Sequence, residues 1–435
     1  MGISLTMMSL GSATILDPHP IFILPFVALL LCIATMPLLL PKVWEHHFKK
    51  ISLGLGLITV LYYLLGLHAW GRIAGIAGEY ISFIVFIGSL FVVSGGIHVR
   101  TRGEAVPSIN ALYLLAGAIL ANLIGTTGAS MLLIRPWIRM NKYRFTMYHT
   151  AFFIFIVSNV GGCLTPIGDP PLFLGYLKGV PFWWVTLKCL PAWGLAVACI
   201  VAAFYAIDRV NFLAAPRAIR EQQTAHEEFK IEGLANLGWL ALILAAVFLK
   251  HPPGLREVLM AGAAIGSYRT TPRRVHEANH FTFGPIKEVA WLFAGIFATM
   301  VPTLDYLECH AASLGITAPM HFYWLSGGLS SVLDNAPTYL TFLTAAFGLK
   351  GLNIDDSAQV TQFLHAHGIY VVAISLGSVF FGAMTYIGNG PNFMVKAIVD
   401  HAKVHTPNFF LYIIRYSLPI LLPILAFVGW VFLHK

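Results

Sequence analysis

The chain has 435 residues, 27 of them Lys or Arg and 19 Asp or Glu, so charged residues make up 11% where a soluble domain carries roughly a quarter. Hydrophobic residues make up 57% and mean hydropathy is +0.76, which excludes a cytosolic globular enzyme, a nucleic-acid binder and a disordered chain. Apolar runs of about 20 residues, the length of a helix across a bilayer, recur from end to end, whereas the strands of a transmembrane β-barrel would alternate over short segments.

In chain order, residues 1–19 hold no Lys or Arg and so lack the positive start of a secretory signal; they are expected to form a short external segment. Six apolar elements follow in residues 20–207: Pro20–Leu40, Ile51–Trp70, Ile81–His98, Ile109–Asn141, Tyr148–Leu177 and Pro181–Ile207, the fourth and fifth interrupted in their middles. Residues 208–232, with Arg217, Arg220, Glu221, Glu227, Glu228 and Lys230, read as a cytoplasmic linker. A second set fills residues 233–435: Leu234–Leu249, Leu255–Ser267, Ile286–Leu304, Pro319–Leu349, Ile369–Val399 and Phe409–Leu433, again with the fourth and fifth interrupted. Four of the five cysteines, Cys32, Cys163, Cys189 and Cys199, lie in apolar runs and only Cys309 in a loop, so no disulfide framework is indicated.

The interrupted elements 109–141 and 319–349 are read as re-entrant hairpins that return to the side they entered from. That choice puts 19 basic residues on the inner side and 6 on the outer, with Lys188 and Arg415 inside helices near an interface, and it predicts both termini outside. The two halves then have opposite orientation, and their sequences match. At an offset of 220, Ser158–Pro171 (SNVGGCLTPIGDPP) and Ser378–Pro391 (SVFFGAMTYIGNGP) share six of fourteen residues; the tips Gly125–Met131 (GTTGASM) and Leu333–Tyr339 (LDNAPTY) align at 208. The expected fold is therefore an all-α polytopic membrane protein built as an inverted repeat with two hairpins, 109–141 and 319–349, and two broken helices, 148–177 and 369–399.

Gly161, Gly162, Pro166, Gly168, Pro170 and Pro171 break the helix in the first half, and Pro337, Gly388 and Pro391 do so in the second. Irregular backbone at membrane depth is tolerated where it lines a cavity, and its freed polar groups become ion ligands. Of the acidic residues, only Asp169 and Asp334 are assigned to the membrane centre. A buried carboxylate needs a proton, a cation or a partner, which makes both candidates for holding Na⁺ or H⁺ in turn. Asp169 precedes two prolines and also fits a cap on the following half-helix. Neutral oxygen ligands lie nearby: Thr126, Thr127 and Ser130 on the first tip, Ser158, Asn159 and Thr165 at the first break, Asn335 and Thr338 on the second tip, and Ser378, Thr385 and Asn389 at the second break. No Arg or Lys lies in the tips or breaks, which counts against an anionic cargo. His276-Glu277-Ala-Asn-His280 fits the zinc-protease pattern H-E-x-x-H but lies in a basic loop with no apolar helical face.

These motifs resemble the ion transporter superfamily, most closely its branch of NhaD-type sodium/proton antiporters, arsenite efflux permeases and the pigmentation P protein. The resemblance rests on Ser158–Pro171, similar to SNIGGxxTxIGDPPN, on Ser330–Pro337 (SSVLDNAP), similar to S-x-x-L-D-N-x-P, and on Gly382–Asn392, similar to G-x-x-T-x-I-G-x-x-x-N. It implies a homodimer with scaffold and transport domains and an elevator-like movement. Thr126-Thr127 stands where some relatives have Asp-Asn, Leu172 where Asn is usual, and neither tip reads Ser-Asn-Thr as in divalent-anion symporters. The sequence also looks like a subgroup labelled citrate transporters. The expectation is an inner-membrane cation/proton antiporter, not an enzyme and without a cofactor, that carries Na⁺ or Li⁺ against H⁺; the alternative is Na⁺- or H⁺-coupled uptake of citrate or another organic anion.

Overall fold

The computed structural model describes residues 16–100, 106–142, 144–214, 230–249, 251–279, 281–402, 404 and 406–434. A 3-10 turn at Pro20–Ile23 leads into α1 (Leu24–Leu39), and α2 (Pro41–Leu61) follows after Leu40 alone, widening into a π-turn at Tyr62–Gly66. The expected start at Ile51 was too late: Pro41 opens the helix, and the charged stretch behind it is amphipathic, with Trp44 and Phe48 buried one turn apart. Likewise α3 (Trp70–Gly95) begins eleven residues before Ile81, because Arg72 and Glu79 are helical residues held in ion pairs.

The next helix, α4 (Pro107–Met140), contains Gly125 with φ +80° and ψ 154°, a conformation that favours glycine. A straight helix would put Asn110 and Asn141 roughly 46 Å apart at 1.5 Å per residue. Instead Asn110 Nδ2 donates to Asn141 Oδ1 (2.8 Å), and Tyr113 OH donates to Leu133 O (2.8 Å). The helix therefore folds back at Gly125 as a hairpin. Beyond it come α5 (Met147–Ile156), an irregular stretch, α6 (Pro170–Leu177) and α7 (Phe182–Ala214).

The second half opens on two short helices. Helices α8 (Ala235–Val247) and α9 (Leu255–Thr270) pair antiparallel through Asn236, Ser267 and Thr271, and Trp239 Nε1 donates to Thr270 Oγ1 (3.0 Å). At 13 and 16 residues they reach only about 20 and 24 Å, less than a hydrocarbon core of about 30 Å. After α10 (Arg273–Ala278) and the long α11 (Gly284–His310), α12 (Pro319–Ser330) and α13 (Asn335–Leu349) form a second hairpin, with the Phe322 and Phe342 rings 6.2 Å apart. Helix α14 (Ser357–Phe381), an irregular stretch and α15 (Gly390–His401) form the second broken pair. The chain closes on α16 (Phe409–Leu433), whose turns widen over Ile413–Leu421 around Pro419.

Eight helical segments among the described residues are long and apolar enough to cross a membrane. One of them is α4, which folds back at Gly125. The all-α expectation needs one amendment: β1 (His98–Arg100) pairs antiparallel with β2 (Lys230–Glu232), tying the end of the linker to the end of α3.

Two groups of elements pack against each other. The first comprises α1, α2, α3, α8, α9 and α11. At the crossing of α2 with α11, a Cβ on Gly295 would collide with Ser52 Oγ, and Ser52 Oγ donates to Leu292 O (3.1 Å), the close small-residue contact by which helices associate in lipid. The second group holds both hairpins, both broken helices, α7 and α16. Large apolar side chains such as Leu31, Leu57, Leu112, Leu187 and Phe410 face outward, where a bilayer accepts them.

Candidate functional site

Both breaks are folded the same way by residues 220 positions apart. In the first, Thr165 Oγ1 accepts from Gly168 N (3.1 Å) and donates to Asn122 O (2.7 Å); in the second, Thr385 Oγ1 accepts from Gly388 N (3.1 Å) and donates to Ser331 O (2.5 Å). Each threonine thus stitches its break to the neighbouring hairpin. A Cβ on Gly168 would collide with Gly162 O, one on Gly388 would lie 2.6 Å from Gly382 O, and one on Gly161 would lie 2.7 Å from Ala118 Cα. Only glycine lets the backbones close up there. Pro166 lies in the turn of the first break. Pro170, Pro171, Pro337 and Pro391 act differently from the expectation that they end helices: they sit in the first turns of α6, α13 and α15, where a missing N–H costs nothing.

Asp169, just before α6, is completely buried and makes no capping bond. Its Oδ1 accepts from Thr126 Oγ1 (2.7 Å) and Asn389 Nδ2 (3.2 Å), and its Oδ2 accepts from Asn335 Nδ2 (2.9 Å). These donors come from the first tip, the second break and the second tip. The tip itself is anchored by Thr126 N donating to Gly168 O (2.8 Å). Behind the donors runs a chain of amides: Asn389 Nδ2 also reaches Asn159 Oδ1 and the Ser158 carbonyl (3.2 Å each), and Asn159 Nδ2 donates to Asn392 Oδ1 (2.7 Å). Asn392 Nδ2 in turn donates to Gly382 O and Thr385 O. Every donor to Asp169 is neutral, so the bonds orient the carboxylate and leave its formal charge to be balanced by something else.

Asp334 differs. It is half-buried and caps α13, with Oδ1 accepting from Ala336 N (3.0 Å). It also lines, with Thr127, Pro170, Asn389 and Pro391, a cavity of about 60 Å³. Asn389 therefore touches Asp169 and faces the same space as Asp334. Thr338 Oγ1 is turned back to Asp334 O within its own helix (3.0 Å), and Ser130 and Ser158 hydroxyls bond each other (2.8 Å). Ser378 contributes its carbonyl, which accepts from Ser330 Oγ (2.6 Å); Ser330 Oγ also meets Asn335 Oδ1 (2.6 Å). Sequence reasoning missed Asn122, Ser330 and Asn392 as site residues. Their signal was available: an amide or hydroxyl in an apolar run one turn from a break.

Pro285 and Met394 line the small cavity and also a vestibule of about 800 Å³, bounded by Met131, Arg135 and Arg139 of α4 and by Ala397, Ile398 and His401 of α15. A charged network gathers around the first half of α3. Lys178 Nζ donates to Glu79 Oε1 and Asp355 Oδ1 (2.6 Å each), and Arg72 donates to Asp355 Oδ2 (2.7 Å) and Asp305 Oδ1 (2.6 Å). Tyr63 OH donates to Asp305 Oδ2 (2.7 Å). Asp208, assigned to the linker, is instead buried in α7 and takes bonds from Arg144, Asn110 Nδ2 (2.9 Å) and Tyr148 OH (2.7 Å). Asp305 and Asp208 thus join Asp169 as buried acids; both have cationic partners and Asp169 has none among the described residues.

The H-E-x-x-H segment falls at α10, a six-residue helix in which Glu277 pairs with Arg273 (3.0 Å); His280 lies outside the described residues. Among curated proteins none matches the sequence. The model of the family described as "Putative citrate transport" matches residues 18–433. With a match over nearly its whole length and helices fit to cross a bilayer, this multi-pass membrane protein belongs to that family of transporters.

Proposed function

We propose that the protein is a secondary active transporter that exchanges protons for Na⁺, Li⁺ or a similar small cation at Asp169 and Asp334. The observation that carries this reading is the enclosed Asp169 carboxylate, held only by neutral donors from three separate interrupted elements. A carboxylate so placed is stable only with a proton or a cation nearby, and occupancy by one excludes the other. The adjoining cavity of about 60 Å³ has room for one or two water-sized species, which suits a small ion. The matched local folds of the two breaks support an inverted repeat with re-entrant hairpins, in which the hairpin group moves against the group of α1–α3, α8, α9 and α11. A homodimer in the bacterial inner membrane, with both termini outside, completes the reading.

In everted vesicles, wild-type protein is expected to release a proton gradient on addition of Na⁺ or Li⁺, and Asp169→Asn with Asp334→Asn to abolish that response. Proton flux that persists in the double variant would refute the assignment. A second reading, coupled transport of citrate or another carboxylate, is favoured by the family's description and by the basic vestibule. Accumulation of radiolabelled citrate in proteoliposomes would put it first.

A further inference from the structure

The vestibule contains a cation that no described residue neutralises. Arg135 lies on the second arm of the first hairpin, nine residues past Thr126, or about 14 Å along the helix. One of its guanidinium nitrogens is buried without a hydrogen-bond partner, and the side chain has no ion pair among the described residues. The residue is half-buried, so part of the guanidinium faces the vestibule while that one nitrogen is closed off beside it. Leaving a buried charged donor unsatisfied is costly, so the position favours a ligand that supplies the missing acceptor. Arg139 and His401 line the same space, and no acidic side chain among the described residues lines it. Its volume of about 800 Å³ is far beyond what an ion needs and falls in the range of organic-ligand sites.

We propose that Arg135, with Arg139 and His401, forms a receiving site for a small organic anion bearing two or more carboxylates, one step outside the cation site at Asp169 and Asp334. The site deepens the carboxylate reading given above and rests on it. Arg135 binds one carboxylate through its planar fork, Arg139 holds a second beside His401, and Met131, Pro285 and Met394 supply apolar walls. Because Pro285 and Met394 are shared with the inner cavity, an anion seated there stands next to the cation on which its transport depends.

Citrate binding to the purified full-length chain, followed by calorimetry and by thermal shift, tests the site. Wild-type protein is expected to bind citrate, Arg135→Gln to bind it about tenfold more weakly or less, and Arg135→Lys to fall between, since an ammonium keeps the charge without the fork. Na⁺- or Li⁺-induced stabilisation, measured on the same samples, must survive in both variants and shows that they are folded. Equal citrate affinity in wild type and Arg135→Gln overturns the site while leaving carboxylate transport standing. If wild type responds to Na⁺ and not to citrate, both the site and the carboxylate reading fall and cation/proton exchange remains.

Discussion

Asp169 and Asn389 stand at equivalent places 220 residues apart, and the difference between a carboxylate and an amide sets their tasks. The amide donates to the carboxylate; the carboxylate carries the charge an ion must answer. Asn392 has the opposite kind of counterpart, since the equivalent position in the first half is Leu172, which is buried among apolar groups. Asn392 nevertheless bonds three groups, and its replacement by leucine would leave Gly382 O, Thr385 O and Asn159 Nδ2 short of a partner. At roughly 1–3 kcal/mol for each orphaned buried group, Asn392→Leu is expected to cost on the order of 3 kcal/mol and to lower the melting temperature by several degrees. A thermal unfolding series on purified protein checks this, and an unchanged midpoint would mean the amide chain is dispensable.

Among the elements, the interruptions were the most legible part of the sequence. Gly125 and the glycine- and proline-rich stretches at 158–171 and 378–391 announce where a helix cannot continue, and α4, α5–α6 and α14–α15 break there. Helix starts were less legible. The first turns of α2 and α3 are charged, and their pairing depends on distant residues such as Asp305 that no local pattern reveals. Asp208 was misplaced for the same reason: beside a polar linker it reads as solvent-facing, and only Arg144, Asn110 and Tyr148 enclose it. The glycine contacts at the breaks give a prediction at this scale. Gly168→Ala forces a methyl group against Gly162 O and is expected to destabilise by about 1–3 kcal/mol, whereas Gly75→Ala, with open space around it, is expected to be neutral or slightly stabilising. Comparing the two by fluorescence-monitored unfolding separates crowding at the break from the general effect of adding a methyl to a helix.

In the whole molecule, the ion-pair network joins the two groups of elements. Lys178 and Asp355 belong to the hairpin group, Arg72, Glu79 and Asp305 to the other. Burial alone would raise the pKa of Asp355, but Lys178 and Arg72 outweigh it and hold the carboxyl below its ordinary value. A group depressed on folding stabilises the folded chain above its unfolded pKa, about 3.9, and loses that contribution as pH falls through the folded value. Thermal stability is therefore expected to decline as pH drops from about 5 to below 4. Asp355→Asn should be less stable at neutral pH and flatter across that window; a slope like that of wild type would contradict the assignment. Arg72 and Ser94 lie roughly 33 Å apart along α3, with the network at one end and, at the other, a small pocket that shares Met131 and Arg135 with the vestibule. The protein is thus bolted at one rim and hollow at the opposite one. Under the proposed exchange, opening on the bolted side first re-hydrates an ammonium and a guanidinium that now have carboxylates for company, so the return half of that cycle begins uphill.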